Sequence, residues 1–219
     1  MFIVSVKSGD SEETRKIELS DGSFFSFKTC YLPPVFIDEN LFMPGIAGGR
    51  EISAAEEEGF RFASACMRAE KAALQLIARA EQSTYALSRK LEKRGHDPAC
   101  ARAVVMRLCE TGLINDRRYA GLWLESRISR QASSPRRLLA GLCARGIDRD
   151  DAESVLKQTL DDETELRLLE RFVIKQCRLK KINNINNEDL AFLRSFKYLL
   201  KSEGFSSLAI EQWEAAPLF

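Results

Sequence analysis

Three times along the chain a leucine is followed by a short polar stretch, a glycine, one more residue, and then an acid or a serine. The stretches are "LEKRGHD" at 91–97, "LCARGID" at 142–148 and "LKSEGFS" at 200–206. At an offset of 51, Leu91 matches Leu142, Arg94 matches Arg145, Gly95 matches Gly146 and Asp97 matches Asp148, followed by Ala101 with Ala152 and Val104 with Val155. At a further offset of 58, Leu200, Gly204, Phe205, Ser206 and Trp213 match Leu142, Gly146, Ile147, Asp148 and Val155. Each position has a mechanical reason. The leucine faces a core, and the glycine lets a helix end in a left-handed conformation that side chains resist. The Asp or Ser accepts the first free N–H groups of the next helix. Ile147 and Phe205 can close the corner with apolar contact; His96 does so less well. A chain that repeats this joint is expected to build tandem modules, each a leading helix followed by a helix–glycine–helix pair.

The surrounding sequence agrees with that period. Residues 52–82 are rich in Ala, Glu, Leu, Lys and Arg, the strong helix formers, with Gly59 placed to bend or divide the helix. Ser83 or Thr84 caps the helix that stops at Gly95, and Asp97 with Pro98 begins another that stops at Gly112. Asn115 or Asp116 starts the second leading helix. There Tyr119, Leu122, Trp123 and Ser126 form one stripe, widened by Ala120, Leu124 and Ile128, that is expected to pack inward. Residues 1–32 read as strands: "FIVSV" and "RKIEL" are β-leaning, and "SDGS" is a turn signal before "FFSFKTCYL". "RKIELSDGSFFSF" is thus read as a hairpin. Pro33, Pro34, Pro44 and the glycines of "GIAGG" then make a connector. The expected fold is mainly α: tandem repeats of three-helix modules forming an elongated, curved molecule, with a small N-terminal β-hairpin. Its divisions are 1–49 for hairpin and connector, then modules at 50–112, 113–161 and 162–219.

Charge is distributed in blocks. Residues 1–60 carry five Lys/Arg against eleven Asp/Glu, residues 61–147 seventeen against seven, and residues 148–219 eleven against fourteen. A basic centre between acidic flanks points to a polyanion or an acidic partner surface. Six arginines and no lysine lie between 117 and 137, a composition suited to forked contacts with phosphate or carboxylate. Pairing with Asp116 and Glu125 is the competing use for one or two of them. The outward basic set, and the proposed contact surface, is Lys90, Arg94, Arg117, Arg118, Arg127, Arg130, Arg136, Arg137 and Arg145. Arg94 and Arg145 are the two most open to a purely structural role, because a cation in the last turn of a helix stabilises its free carbonyls in any protein.

Other function classes find little to stand on. Six cysteines are scattered singly with no CxxC pair, which fits reduced thiols; Cys66, Cys109 and Cys143 sit in helical patterns where a thiol packs as a small apolar group. With His96 the one histidine, no metal site is expected, and no cofactor. P-loop, HExxH and GxSxG patterns are absent, so no enzymatic activity is expected. The acidic runs at 56–58 and 161–165 fit helix starts and solvated faces better than Mg²⁺ ligands. No apolar run approaches the roughly 20 residues of a membrane span, and the first residues do not resemble a secretory signal. Cytosol is the expected location.

"GLINDRRYAGLWLESRI" resembles the GΦΦ-(N/D)-D-x-R-(F/Y)-A signature of the bacterial RecX regulatory proteins. As in that family, an Arg-rich helix, a Ser-containing turn and an "L..kGi" ending follow, here "SSPRRLLAGLCARGID". "AALQLIARAEQSTYALSRKLEKRGHDP" is similar to the family's first module. The resemblance extends over about 68–160, and more weakly over 162–216. Departures are the near-neutral net charge of +1, Asn115 where an acid is common, and the Asn-rich "KKINNINNEDL" in the third module. The resemblance implies a non-enzymatic regulator that binds the RecA–single-stranded DNA filament along its groove and inhibits or destabilises it; a monomer is the expected state. It would meet single-stranded DNA directly or through the filament. Direct nucleic-acid binding independent of RecA, and a helical-repeat adaptor without a nucleic-acid role, are the alternatives that the residues leave open.

Overall fold

The computed structural model describes residues 1–9, 11, 13–36, 50–180 and 190–215. Pro44, the "GIAGG" glycines and most of the Asn-rich insertion lie outside the described residues. The chain forms two compact units, Met1–Ile114 and Asn115–Phe219. It is mainly helical, with a small antiparallel sheet at the N-terminus.

In the first unit, β1 (Ile3–Ser8), β2 (Thr14–Leu19) and β3 (Phe24–Lys28) form an antiparallel meander in the order β1-β2-β3. Ile17 pairs with Val6 on one side and Phe25 on the other. The β2–β3 turn is set by Gly22, at φ 84°, and by Asp21, whose carboxylate accepts from the Ser23 N–H at 2.9 Å and its hydroxyl at 2.7 Å. The hairpin legible in the sequence is therefore part of a three-stranded sheet, because "FIVSV" pairs onto its free edge. Residues near 50 return to extend that edge, with the Ile3 N–H donating to the Arg50 carbonyl at 3.0 Å and the Ile52 N–H to the Met1 carbonyl at 2.8 Å.

One face of the sheet rests on α1 (Ala54–Ile77), where Phe27 stacks on Phe60 at 5.3 Å with Ile17 and Leu19 buried beside them. Helix α1 opens with a capping box: the Ser53 side chain accepts from the Glu56 N–H, and the Glu56 carboxylate accepts from the Ser53 N–H at 2.8 Å. Gly59 neither ends nor divides this helix. It is buried, and a Cβ there would stand 3.1 Å from the Phe36 ring, so the glycine makes room for that ring. Helices α2 (Thr84–Lys93) and α3 (Pro98–Glu110) complete the unit.

The second unit holds α4 (Asp116–Arg130), α5 (Pro135–Cys143), α6 (Arg149–Thr159), α7 (Asp162–Lys180), α8 (Leu190–Ser202) and α9 (Ser207–Ala215). The repeat is visible as hydrogen bonding. Gly95, Gly146 and Gly204 have φ of 85°, 78° and 88°. Immediately after them the N–H groups of His96, Ile147 and Phe205 reach back to the carbonyls of Leu91, Leu142 and Leu200 at 3.2, 3.3 and 3.2 Å. This is the Schellman closure, made three times, with all three leucines fully buried. Asp97, Asp148 and Ser206 then cap the following helices, as their spacing predicts. In each set the third helix packs on the first and second: α3 on α1 and α2, α6 on α4 and α5, and α9 on α7 and α8.

Helices α4–α9 share one core, in which Phe172 meets Phe205 at 5.4 Å and Phe196 meets Trp213 at 6.0 Å. The end of α8 caps the start of α5: the Arg136 N–H donates to the Glu203 carbonyl at 3.0 Å, and the Ser134 hydroxyl hydrogen-bonds the Glu203 carboxylate. Reciprocally, the buried Glu165 at the start of α7 accepts the Ser206 N–H at 2.7 Å.

Candidate functional site

The Arg-rich stretch lies on α4 and α5, and its geometry begins with Asn115. That side chain accepts from the Arg118 N–H at 2.9 Å, so Asn115 is the cap and Asp116 the first helical residue. Ala120 and Leu124 are the buried positions of α4, with Tyr119, Trp123 and Ile128 packed around them. Leu122 is 49% exposed and Ser126 is exposed, contrary to the stripe expected from spacing. Helix α6 packs on α4, and Ala120 and Leu124 share a core with Ala152 and Val155 of α6. The inward face is thereby turned away from Leu122 and Ser126. Cys143, expected to pack inward, is also exposed, at the last turn of α5.

The predicted basic residues fall into three groups. Some are bound into the fold. Arg145 donates to the Gly141 carbonyl at 2.8 Å, and its guanidinium carbon lies 4.5 Å from the centre of the Trp123 ring. Trp123 in turn rests on Gly141, where a Cβ would come within 2.5 Å of the indole. Arg127 faces the same ring at 5.9 Å. Arg145 thus fastens α5 to α4, whatever else it does. Arg117 reaches α6, pairing with Asp151 at 3.2 Å and donating to the Ser154 hydroxyl at 3.0 Å. Arg136 donates to the Ser202 carbonyl at 3.3 Å, at the open end of α8.

A second group presents its side chains to solvent. Arg118, Arg130 and Arg137 are exposed, and the last two flank the short α4–α5 connection. The third group, Lys90 and Arg94, is also exposed but belongs to the other unit, at the end of α2. Lys90 donates to the Gln82 side chain at 2.6 Å.

Four further cations went unremarked in the sequence: Arg167, Arg171, Lys175 and Arg178, all exposed along α7. Arg171 donates to the carbonyls of Ile128 and Ser129 at 2.7 and 3.4 Å, and Lys175 to that of Ala132 at 3.4 Å. They therefore gather beside the end of α4 that carries Arg127 and Arg130. The i, i+4, i+8, i+11 spacing was there to be seen, but the net negative charge of residues 148–219 concealed it.

The acidic runs have structural uses. Glu56 pairs with Arg50 at 2.8 Å besides closing its capping box, and Glu57 pairs with Arg61 at 2.6 Å. Asp161 caps α7 by accepting the Thr164 N–H at 2.8 Å, and hydrogen bonds from Thr164 hold its carboxyl below the usual range. Among the described residues no group of three His, Cys, Asp or Glu side chains could hold a metal ion, and no helix is long and apolar enough to cross a membrane.

The geometry has clear counterparts. Residues 115–156, from the Asn115 cap through most of α6, match the family model for the second three-helix domain of RecX. The regulatory protein RecX of Treponema pallidum is 39% identical over 114 residues, which cover 50% of this chain and 70% of that one. The regulatory protein RecX of a Mycobacterium species (strain JLS) is 31% identical over 139 residues, covering 63% and 75%. Among solved structures, one of regulatory protein RecX superposes with a TM-score of 0.67 over 98% of this chain and 99% of that one, at 18% identity. RecX from Lactobacillus salivarius superposes with a TM-score of 0.54 over 68% and 93%, at 20% identity. At these identities the structures establish likeness of fold.

Proposed function

The chain belongs to the RecX family of regulatory proteins, and on that premise we propose that it binds the RecA–single-stranded DNA filament and inhibits recombinase activity. The observation that carries the reading is the exposed arginine set on α4 and α5, lying in the segment that matches the family's second three-helix domain. Arginine presents a flat fork of donors that suits both the carboxylates of a protein surface and the phosphates of a bound strand. In this reading the work is done by binding: a regulator that favours one state of a filament shifts its population toward that state. The reading includes a monomeric, cytoplasmic protein with repeated modules at 50–112, 113–161 and 162–219.

Reversing two exposed charges tests it. Arg130→Glu with Arg137→Glu should weaken inhibition of RecA-driven ATP hydrolysis about tenfold or more while leaving the helical circular dichroism signal intact, since contacts of charged pairs at an interface are worth several-fold each. Arg136 is unsuited to the purpose, because its loss also removes the hydrogen bond to the Ser202 carbonyl. Unchanged inhibition would remove this surface from the mechanism. The second reading, direct binding to nucleic acid, is favoured by the same arginines. It predicts affinity for bare oligonucleotides that falls steeply with salt, as phosphate-dominated binding does.

A further inference from the structure

Two open cavities of the second unit meet at Arg171. One, of about 630 Å³, includes Ile128, Thr164, Arg167, Leu168 and Arg171 in its lining. The other, of about 370 Å³, is lined by Ala132, Arg171, Ile174, Lys175, Arg178 and Leu179. Together they run along one side of α7 beside the end of α4. Arg167, Arg171, Lys175 and Arg178 span about 16 Å of helix at the 1.5 Å rise per residue. The cations form the rim, and the aliphatic side chains of Ile128, Leu168 and Ile174 form the floor. At the far end Leu179 is 69% exposed, an isobutyl group held in water beside three basic residues.

We propose that this groove docks an acidic amphipathic peptide segment of a partner protein, its carboxylates on the cationic rim and its aliphatic residues on the floor. The inference rests on the reading of this chain as a partner-binding regulator, and it adds a second contact surface with its own chemistry. Charge complementarity selects the occupant's sign: Glu125 is the one acid among the described lining residues, against four cations. The lining selects the class. A single nucleic-acid strand bound without sequence preference relies on aromatic platforms for its bases. No aromatic side chain occurs among the described residues that line either cavity. Aliphatic floor with basic rim is instead the recognition chemistry of an acidic helix in a groove.

Arg171 is unsuitable for substitution because it also caps α4 through the Ile128 and Ser129 carbonyls. Lys175 makes a single long contact to the Ala132 carbonyl at 3.4 Å, so its variant is first shown to keep the helical circular dichroism signal and urea stability of the parent chain. The variants are therefore Lys175→Glu with Arg178→Glu, and separately Leu179→Ser, in the full chain. The probes are a fluorescein-labelled peptide of about 15 residues with glutamates and leucines at helical spacing, its scrambled isomer, and a labelled oligo-dT, all read by anisotropy. The expected result is saturable binding of the amphipathic peptide, weakened about tenfold by the double charge reversal and several-fold by Leu179→Ser, with oligo-dT binding changed by neither. Equal binding of the scrambled isomer would overturn the proposal by showing a merely cationic face. So would loss of oligo-dT binding in the charge-reversed variant without saturable peptide binding, which would assign the groove to nucleic acid. Absence of peptide binding altogether would overturn it too. No recombinase enters this measurement, so its failure is distinct from a failure of the Arg130/Arg137 test.

Discussion

Gly141 and Gly146 stand five residues apart on one corner and do different jobs. Gly146 carries a left-handed φ of 78°, which a side chain resists, so Gly146→Ala should destabilise the protein by about 1 kcal/mol in urea denaturation. Gly141 has an ordinary helical backbone, but a methyl group there would run into Trp123 at 2.5 Å, so Gly141→Ala should cost about 1–3 kcal/mol by overpacking. Gly121 is the control: it is helical with nothing within 4 Å of a Cβ, and Gly121→Ala should stabilise by about 0.5–1 kcal/mol. Loss of stability at Gly121 would mean that α4 is packed differently there. The caps and the left-handed glycine were legible in the sequence because they are local chemistry, complete within five or six residues. Arg145 was legible only as a helix-end cation. Its contact with Trp123 depends on how α4 and α5 lie against each other, which no local pattern encodes.

At the scale of elements, α1 depends on a charged cap. Hydrogen bonds from Ser53, chiefly its backbone N–H, hold the Glu56 carboxyl below its ordinary value of 4.5. A carboxyl depressed by folding adds stability in full above its unfolded pKa, and that contribution is lost as pH falls through the folded value. The first unit should therefore lose stability on acidification below about pH 4.5, and Glu56→Gln should flatten this part of the pH profile while lowering stability at neutral pH by about 1 kcal/mol. A steepened acid limb in the variant would contradict this origin. Helix α1 also shows where reading by residue type misleads. Gly59 looks like a break, yet it serves the Phe36 ring inside an unbroken helix. On α4 the expected stripe was too wide: Tyr119, Ala120, Trp123, Leu124 and Ile128 pack inward as their spacing suggests, whereas Leu122 and Ser126 are exposed, and how far the inward face extends depends on the helices packed against it. β1 was legible as a strand. That it joins the hairpin's edge is a pairing of residues distant in sequence.

For the whole molecule, the repeat announced a mainly helical chain with recurring corners, and among the described residues Gly95, Gly146 and Gly204 carry those corners in hydrogen bonds. The distribution of charge announced much less. Counting by block singled out the basic centre, but folding divides that set: Arg117, Arg136 and Arg145 are tied to neighbouring helices, Arg130 and Arg137 face solvent, and cations of the acidic third block gather at the end of α4. Buried partners and cross-helix bonds sort such residues, and sequence spacing does not. A filament-binding role further predicts that binding persists as salt is raised from about 50 to 200 mM, whereas contacts to phosphate alone would weaken by orders of magnitude. The most direct test of the central claim is co-sedimentation of the full chain with RecA filaments assembled on single-stranded DNA, with the same DNA alone as control. Saturable pelleting with filaments, reduced by Arg130→Glu with Arg137→Glu and far exceeding that with bare DNA, is the predicted result. Equal pelleting with bare DNA, or none with filaments, would contradict it.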